Sequence, residues 1–266
     1  MIRSHFGLEI NPFDAANPAL LPHQKQVFET IKVHCQQGGL CVLMGEPGTG
    51  KSVIKQSIVK HDPKRMITPA VARTLHTYSN TLQILCEAFD IEVNGRDTRR
   101  EKMLIEAAWK INAEGKMLVP IIDDAHLMDM ENLRKLRLLF EDFPKNHNLV
   151  LIAQPQLMHH LRLRPNEDLR TRITYSVNLP KLNPDDIKAF IFAQLDRIKL
   201  GHNAFSEEAI ELIVRSSEGI LRRTRNLCIS AMLEAVRDRK QVIGLDQVNR
   251  VLLQPHWRKD HDMEAL

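Results

Sequence analysis

Gly39-Leu40-Cys41-Val42-Leu43-Met44-Gly45-Glu46-Pro47-Gly48-Thr49-Gly50-Lys51-Ser52 is the stretch whose reading decides the fold. Leu40 to Met44 form an unbroken apolar run and read as a buried strand. The run leads into Gly45-x-x-x-x-Gly50-Lys51-Ser52, the full phosphate-binding loop pattern, and a helix is expected over Val53–Lys60. Each residue type has a physical reason. Glycines let backbone N–H groups turn inward around phosphate oxygens. The helix that follows aims its positive end at the same anion. Lys51 bridges the outer phosphates in such a loop, and the Ser52 hydroxyl holds Mg²⁺. The candidate nucleotide-binding set is therefore Gly45, Glu46, Pro47, Gly48, Thr49, Gly50, Lys51 and Ser52.

Composition narrows the class without choosing a function. The chain has 266 residues, 43% of them hydrophobic and 26% charged. That is enough to bury a sizeable core and suits a large α/β domain with a smaller one. No apolar run approaches the roughly 20 residues that span a bilayer, and Met1-Ile2-Arg3-Ser4-His5-Phe6 lacks a signal peptide's apolar core. Cys35, Cys41, Cys86 and Cys228 show no metal-ligand spacing, so reduced thiols and a cytoplasmic location are expected. A net charge of +4 permits a polyanionic partner without requiring one.

Along the chain, strands alternate with helices and then give way to helices alone. Residues 1–22, with prolines at Pro12, Pro18 and Pro22, read as an irregular lead-in. A helix is expected over His23–Gln37, a second strand over Met66–Ala72 with Pro69 placing it at a sheet edge, and a helix over Thr81–Phe89. Asp97 reads as the N-cap of a helix running to Glu114. Met117 to Ile122 then form an apolar strand ending in Asp123-Asp124, although Pro120 is unusual in a central strand. A carboxylate at a strand tip downstream of a phosphate loop holds Mg²⁺, which assigns Asp123; its neighbour Asp124 would orient or deprotonate the attacking water. Asp129 reads as the cap of a helix whose outward face carries Arg134, Lys135 and Arg137, and Asn148–Gln154 as a strand ending in a polar residue. Asp168-Leu169-Arg170-Thr171-Arg172-Ile173 precedes an alternating strand, Thr174–Leu179. Pro180 and Pro184 mark a boundary, after which everything reads as helical, with Ser206 as a cap, up to a polar tail from Pro255.

The order of these landmarks resembles the AAA+ ATPases. In that resemblance Lys51 and Ser52 belong to Walker A, Asp123 and Asp124 to Walker B, and Gln154 to sensor 1. Arg172 lies where the family puts an arginine finger, with Arg170 as a competitor, and Arg222 in Gly219-x-x-Arg222 matches sensor 2. The implied fold is α/β: a three-layer P-loop core with a parallel sheet, then a small all-helical lid. The implied domains are a lead-in near the nucleotide site (1–22), the ATPase core (23–180), the lid (181–254) and a mobile tail (255–266). The implied reaction is Mg²⁺-dependent ATP hydrolysis with Asp124, Gln154, Arg172 and Arg222 as catalytic residues.

A narrower resemblance covers nearly the whole chain. Phe6-Gly7-Leu8 with Asn11-Pro12-Phe13, Ala153-Gln154-Pro155-Gln156-Leu157, Leu169-x-x-Arg172-Ile173 and Gly219-x-x-Arg222-Arg223 are similar to the ExeA group of AAA+ proteins. That group includes secretion ATPases and is similar to the transposition regulators TnsC, TniB, MuB and IstB. The secretion members continue into a membrane segment and a cell-wall-binding region that this sequence does not contain. The resemblance therefore implies the transposition branch: an ATPase that assembles as a ring or helical filament on double-stranded DNA and regulates a transposase, with no membrane partner. The alternatives are an ATPase acting on a protein partner, as in secretion, and a helicase- or clamp-loader-like motor.

Two departures from the family pattern matter. Walker B usually reads Asp-Glu, and here it is Asp123-Asp124. Aspartate is shorter by one carbon–carbon bond, about 1.5 Å, and a misplacement of about 1 Å costs on the order of 10²-fold in rate. Slow hydrolysis and a long-lived ATP-bound assembly are expected. Relatives often have proline before the sensor arginine, where this chain has Leu221. For DNA contact the candidates are Arg73, Thr74, Arg96, Arg99 and Arg100, in the region where the resemblance places pore-facing loops. Contacts there would be to phosphates, salt-sensitive and with little sequence preference. No aromatics interleave with these arginines, which disfavours single-strand stacking, and His159-His160 lacks further ligands at metal spacing and reads as a surface pair.

Overall fold

The structure, a computed structural model, describes residues 1–13, 20–71, 77–92 and 95–257. They divide into two compact units: residues 20–46 and 50–179 in one, residues 1–13, 47–49 and 180–257 in the other.

The chain opens with α1 (Ile2–Phe6), closed by Gly7 in the left-handed conformation. In the first-named unit, α2 (Pro22–Gln37), β1 (Gly39–Gly45) and α3 (Lys51–His61) come next. Then follow β2 (Met66–Ile67), β3 (Ala70–Val71), α4 (Tyr78–Ala88), α5 (Asp97–Ala113), β4 (Met117–Leu118) and β5 (Ile121–Ile122). The unit closes with α6 (Met130–Glu141), β6 (Asn148–Ala153), α7 (Gln156–Leu161), α8 (Glu167–Arg170) and β7 (Ile173–Leu179). The main sheet is parallel, in the order β3-β5-β6-β1-β7, and β2 pairs with β4 beside it.

The second and third strands are each cut in two by a proline. Thr68-Pro69 separates β2 from β3, and Val119-Pro120 separates β4 from β5. The ladder nevertheless runs through the breaks: Val119 N–H donates to Ile67 O at 2.8 Å and Ile121 N–H to Pro69 O at 2.9 Å. Pro69 thus lies on the edge strand, where a missing N–H is tolerated. Pro120 lies in an interior strand and keeps its acceptor in use, since Val150 N–H donates to Pro120 O at 3.0 Å.

Period-two alternation sorts β1 and β6 onto two faces. Leu40, Val42, Met44, Leu149 and Leu151 pack with Leu133, Leu136, Leu157 and Leu161 from α6 and α7. Cys41, Leu43, Val150 and Ile152 pack with Val27, Ile31, Cys35, Ile54 and Ile58 from α2 and α3. β1 and β6 are each buried on both faces, which is why they read as unbroken apolar runs. A third cluster joins Leu82 and Leu85 of α4, Leu104 of α5 and Leu139 of α6.

The helical unit holds α9 (Pro184–Arg197), α10 (Glu207–Ser217), α11 (Leu221–Arg237) and α12 (Leu245–Leu252). Asn183 and Ser206 cap α9 and α10 through side chains that accept from Asp186 N–H and Ala209 N–H. Leu8 and Phe13 are buried in the same core as Ile191, Ile213 and Met232. The lead-in is therefore not irregular throughout: it forms a short helix and completes the helical unit's core.

Other boundaries also differ from expectation. α4 starts earlier, at Tyr78, because Thr77 supplies the cap by accepting from Asn80 N–H. Asp97 is the first residue of α5 and not its cap; Arg96 occupies the cap position. The Asp97 carboxylate is spent on Ser79 and Arg100 instead. At the start of the expected tail, Pro255–Trp257 form a 3₁₀ turn, and Arg223 lies over the Trp257 ring at 5.7 Å. All four cysteines are buried and free.

Candidate active site

β1 ends at Gly45 and α3 begins at Lys51, so the phosphate-loop pattern spans a strand-to-helix turn. Gly48 (φ +88°) and Gly50 (φ +104°) both take the left-handed backbone that L side chains avoid. No side chain caps α3 and its first turn carries no acidic residue, so the positive end of the helix is not offset by a side-chain charge and favours an anion. Lys51 Nζ donates to Gly45 O at 2.6 Å and to Glu46 O at 3.0 Å. Ser52 is exposed on the first turn.

Asp123 and Asp124 follow the tip of β5. Asp123 N–H donates to Val71 O at 3.0 Å, which ties the tip to the edge strand. Its carboxylate is engaged at both oxygens: Oδ1 accepts from Asp124 N–H at 3.0 Å and Oδ2 from Lys55 Nζ at 2.5 Å. Asp124 has φ +51° and ψ +36°, an uncommon left-handed conformation for a non-glycine residue. His126 follows in a 3₁₀ turn, and its Nδ1 accepts from Gln154 N–H at 3.4 Å, so the ring proton sits on Nε2. Burial holds the imidazole below its ordinary pKa, against the opposing pull of Asp124. Gln154 is thereby joined to the carboxylate turn through one histidine.

A hydroxyl, a carboxylate and the phosphates of a nucleotide are hard oxygen donors that suit Mg²⁺. Among the described residues no cluster of three or more His, Cys, Asp or Glu could cage a metal. The Ser52 hydroxyl and the Asp123 carboxylate would supply two such donors to an ion that keeps several waters. Lys55, already against Asp123, shows that this carboxylate takes a cation.

Arg172 stands at the other end of the sheet. It precedes β7, whose Ile173 pairs with Leu40 while Leu179 pairs with Gly45. Its guanidinium meets Glu141 at 3.3 Å, and Arg137 meets the same carboxylate oxygen at 2.5 Å. These residues line a cavity of about 430 Å³ together with Gly39, Lys145 and His147. Arg170 pairs with Glu167 at 3.4 Å. In the helical unit, Arg222 is the second residue of α11, and its N–H donates to Gly48 O at 3.2 Å. Leu221, just before this arginine, is the first residue of that helix, a position that tolerates proline equally well.

Of the DNA candidates, Arg96 and Arg99 are exposed at the start of α5. Arg100 is committed within the fold, donating to Ser79 Oγ and Asp97 Oδ1 at 3.2 Å each. Arg73 and Thr74 lie outside the described residues. Arg134 and Arg137 are likewise not a free outward face: Arg134 binds Asp168, Asn166 and the Pro165 carbonyl, and Arg137 binds Glu141. His159 and His160 are exposed.

Sequence reading missed Lys55 and His126. Lys55 follows Lys51 by one helical turn, so the two share a face, and that spacing was the available clue.

Residues 33–161 match the family described as AAA domain. The fold is that of an AAA+ ATPase. The chain is 28% identical over 251 residues to General secretion pathway protein A of Aeromonas hydrophila, covering 88% of this chain and 45% of that protein. It therefore spans less than half the length of this relative. Among solved structures it is similar to the ORC2 protein of Aeropyrum pernix in ADPNP and ADP complexes: TM-score 0.70, 16% identity, 99% of this chain and 74% of that one. The Drosophila ORC bound to DNA has TM-score 0.70 and 17% identity over 99% of this chain and 67% of that one. A variant of Thermotoga maritima RuvB has TM-score 0.59 and 17% identity over 91% of this chain and 71% of that one.

Proposed function

We propose that this chain is an ATPase completed by a second copy of itself, so that ATP controls its assembly, and that it assembles on double-stranded DNA to regulate a transposase. The placement of Arg172 carries the first part. Between Leu40, paired with the strand start after Arg172, and Gly45 lie five residue steps of β1, about 17 Å at about 3.3 Å per residue. An arginine side chain reaches about 7 Å at about 1.5 Å per bond, so Arg172 cannot serve its own chain's loop. Supplied by a neighbour, its planar charge fits the transferring phosphoryl group.

Within the site, Lys51 and the first N–H groups of α3 bind phosphate, and Ser52 with Asp123 would hold Mg²⁺, which spreads the charge between the outer phosphates. Asp124 orients the water, Gln154 reads the outer phosphate, and the short Asp124 side chain makes hydrolysis slow. Arg96 and Arg99 supply exposed charge for duplex phosphates. The match to General secretion pathway protein A supports a second reading, an ATPase that acts on a protein partner.

Filter binding of duplex DNA separates the two. The DNA reading expects tight binding with a non-hydrolysable ATP analogue, weaker binding with ADP, and a steep loss with salt. Equal binding with both nucleotides across the salt series would sink it and leave the protein-partner reading.

A further inference from the structure

We propose that Lys55 is a built-in counter-cation for Asp123, which a divalent ion arriving with nucleotide has to displace. The inference rests on the ATPase reading of the site and deepens it.

Lys51 and Lys55 stand one turn apart on α3 and project from the same face. They turn to different targets. Lys51 covers the loop carbonyls of Gly45 and Glu46. Lys55 reaches Asp123 Oδ2 at 2.5 Å, with the two side chains only 19% and 17% exposed. The other carboxylate oxygen is occupied by Asp124 N–H. Each oxygen of the candidate metal ligand therefore already has a donor.

A carboxylate oxygen has lone pairs to spare, so the obstacle is charge. An ammonium and a dication on one oxygen would lie within about 4 Å of each other, in a setting less screened than open water. The ammonium is the more mobile of the two, on a flexible four-carbon stem. Metal binding at Asp123 thus requires Lys55 to leave, and metal release lets it return. Asp123 never stands as an uncompensated charge, and free Mg²⁺ without nucleotide has to overcome the lysine alone. Lys55 acts through Asp123 and is a positioning residue.

Mn²⁺ retention, read by loss of the free-ion paramagnetic resonance signal, tests this on the full chain with a non-hydrolysable ATP analogue. Lys55→Met and Lys55→Gln should bind Mn²⁺ with half-saturation about five- to ten-fold lower than the parent, as expected for losing a pair that is mostly covered but not dry. Lys55→Arg should stay near the parent. The rise in melting temperature on adding Mn²⁺ and nucleotide should be larger in Lys55→Met, because only its ligand-free form loses a partner for Asp123. Unchanged or weaker Mn²⁺ binding in both neutral variants, while the parent retains Mn²⁺, overturns the proposal and leaves the ATPase reading intact. A parent chain that binds the nucleotide analogue with no Mn²⁺ retained overturns both.

Discussion

Replacing Arg172 by alanine tests the trans arrangement most directly. Arg172 is 63% exposed and its pairing with Glu141 at 3.3 Å is a surface contact, worth under about 1 kcal/mol. The variant should fold and bind ATP. Its own loop lies about 17 Å away along β1, beyond the side chain's reach, so whatever hydrolysis it loses is lost to a neighbour's site. Arginine fingers contribute on the order of 10³–10⁵ in rate, and a loss near the lower figure is expected where the basal reaction is slow. The decisive assay mixes Arg172→Ala with Lys51→Ala. Neither hydrolyses alone: the first lacks the finger, the second the phosphate-bridging amine. In a random equimolar assembly, about one interface in four pairs an intact loop with an intact finger, because a head-to-tail contact takes one element from each copy. ATP turnover should return to about a quarter of the parent's at the same total concentration. No rescue in a mixture shown by light scattering to co-assemble would refute the argument. Full activity in Arg172→Ala together with its loss in Arg170→Ala would move the finger to the neighbouring arginine.

Asp124→Glu should raise single-turnover hydrolysis by about 10-fold or more, at some loss of stability because glutamate fits the left-handed backbone at φ +51° less well; unchanged turnover would end the short-carboxylate explanation. His147 is 5% exposed, and burial lowers its pKa from 6.5 to about 4. The unfolded chain therefore binds the extra proton between these values, so the stability it gives is complete above pH 6.5 and is lost as pH falls toward 4. Denaturant melts of the parent at pH 7 and 4.5 should differ by up to about 3 kcal/mol more than those of His147→Gln. Gly38→Ala would set a Cβ 1.9 Å from Lys145 O at φ +79°; with backbone on both sides of the clash, a loss of about 3 kcal/mol or more is expected in the same melts.

The sequence made the strand-to-helix loop and strands β1 and β6 legible because local pattern and burial agree there. Leu40–Met44 and Leu149–Ala153 are apolar throughout, and each is buried on both faces. Caps written in a single side chain were equally readable, as at Asp129, which accepts from Asn132 N–H at 2.7 Å, and at Ser206. What failed was anything decided by a distant partner. Asp97 has the composition of a cap, yet Ser79, 18 residues earlier in the chain, claims its carboxylate. Arg100 reads as a candidate for DNA phosphates until that same cluster absorbs it. Lys55 gains its partner only when the tip of β5, 68 residues away, comes alongside. Such pairings depend on which strands become neighbours, and in a parallel sheet the neighbours are set by crossovers that no short window of sequence contains.

The buried thiols have a practical consequence. Cys35, Cys41, Cys86 and Cys228 are shut away from solvent, and burial raises the pKa of each, so thiolate is scarce at neutral pH. Maleimide dyes should pass over the native chain. A single cysteine placed at Lys102, whose side chain is 78% exposed, and another at Lys199, 83% exposed, would take a donor and an acceptor without first deleting native residues. Energy transfer between the two units could then be followed in solution through binding, hydrolysis and release.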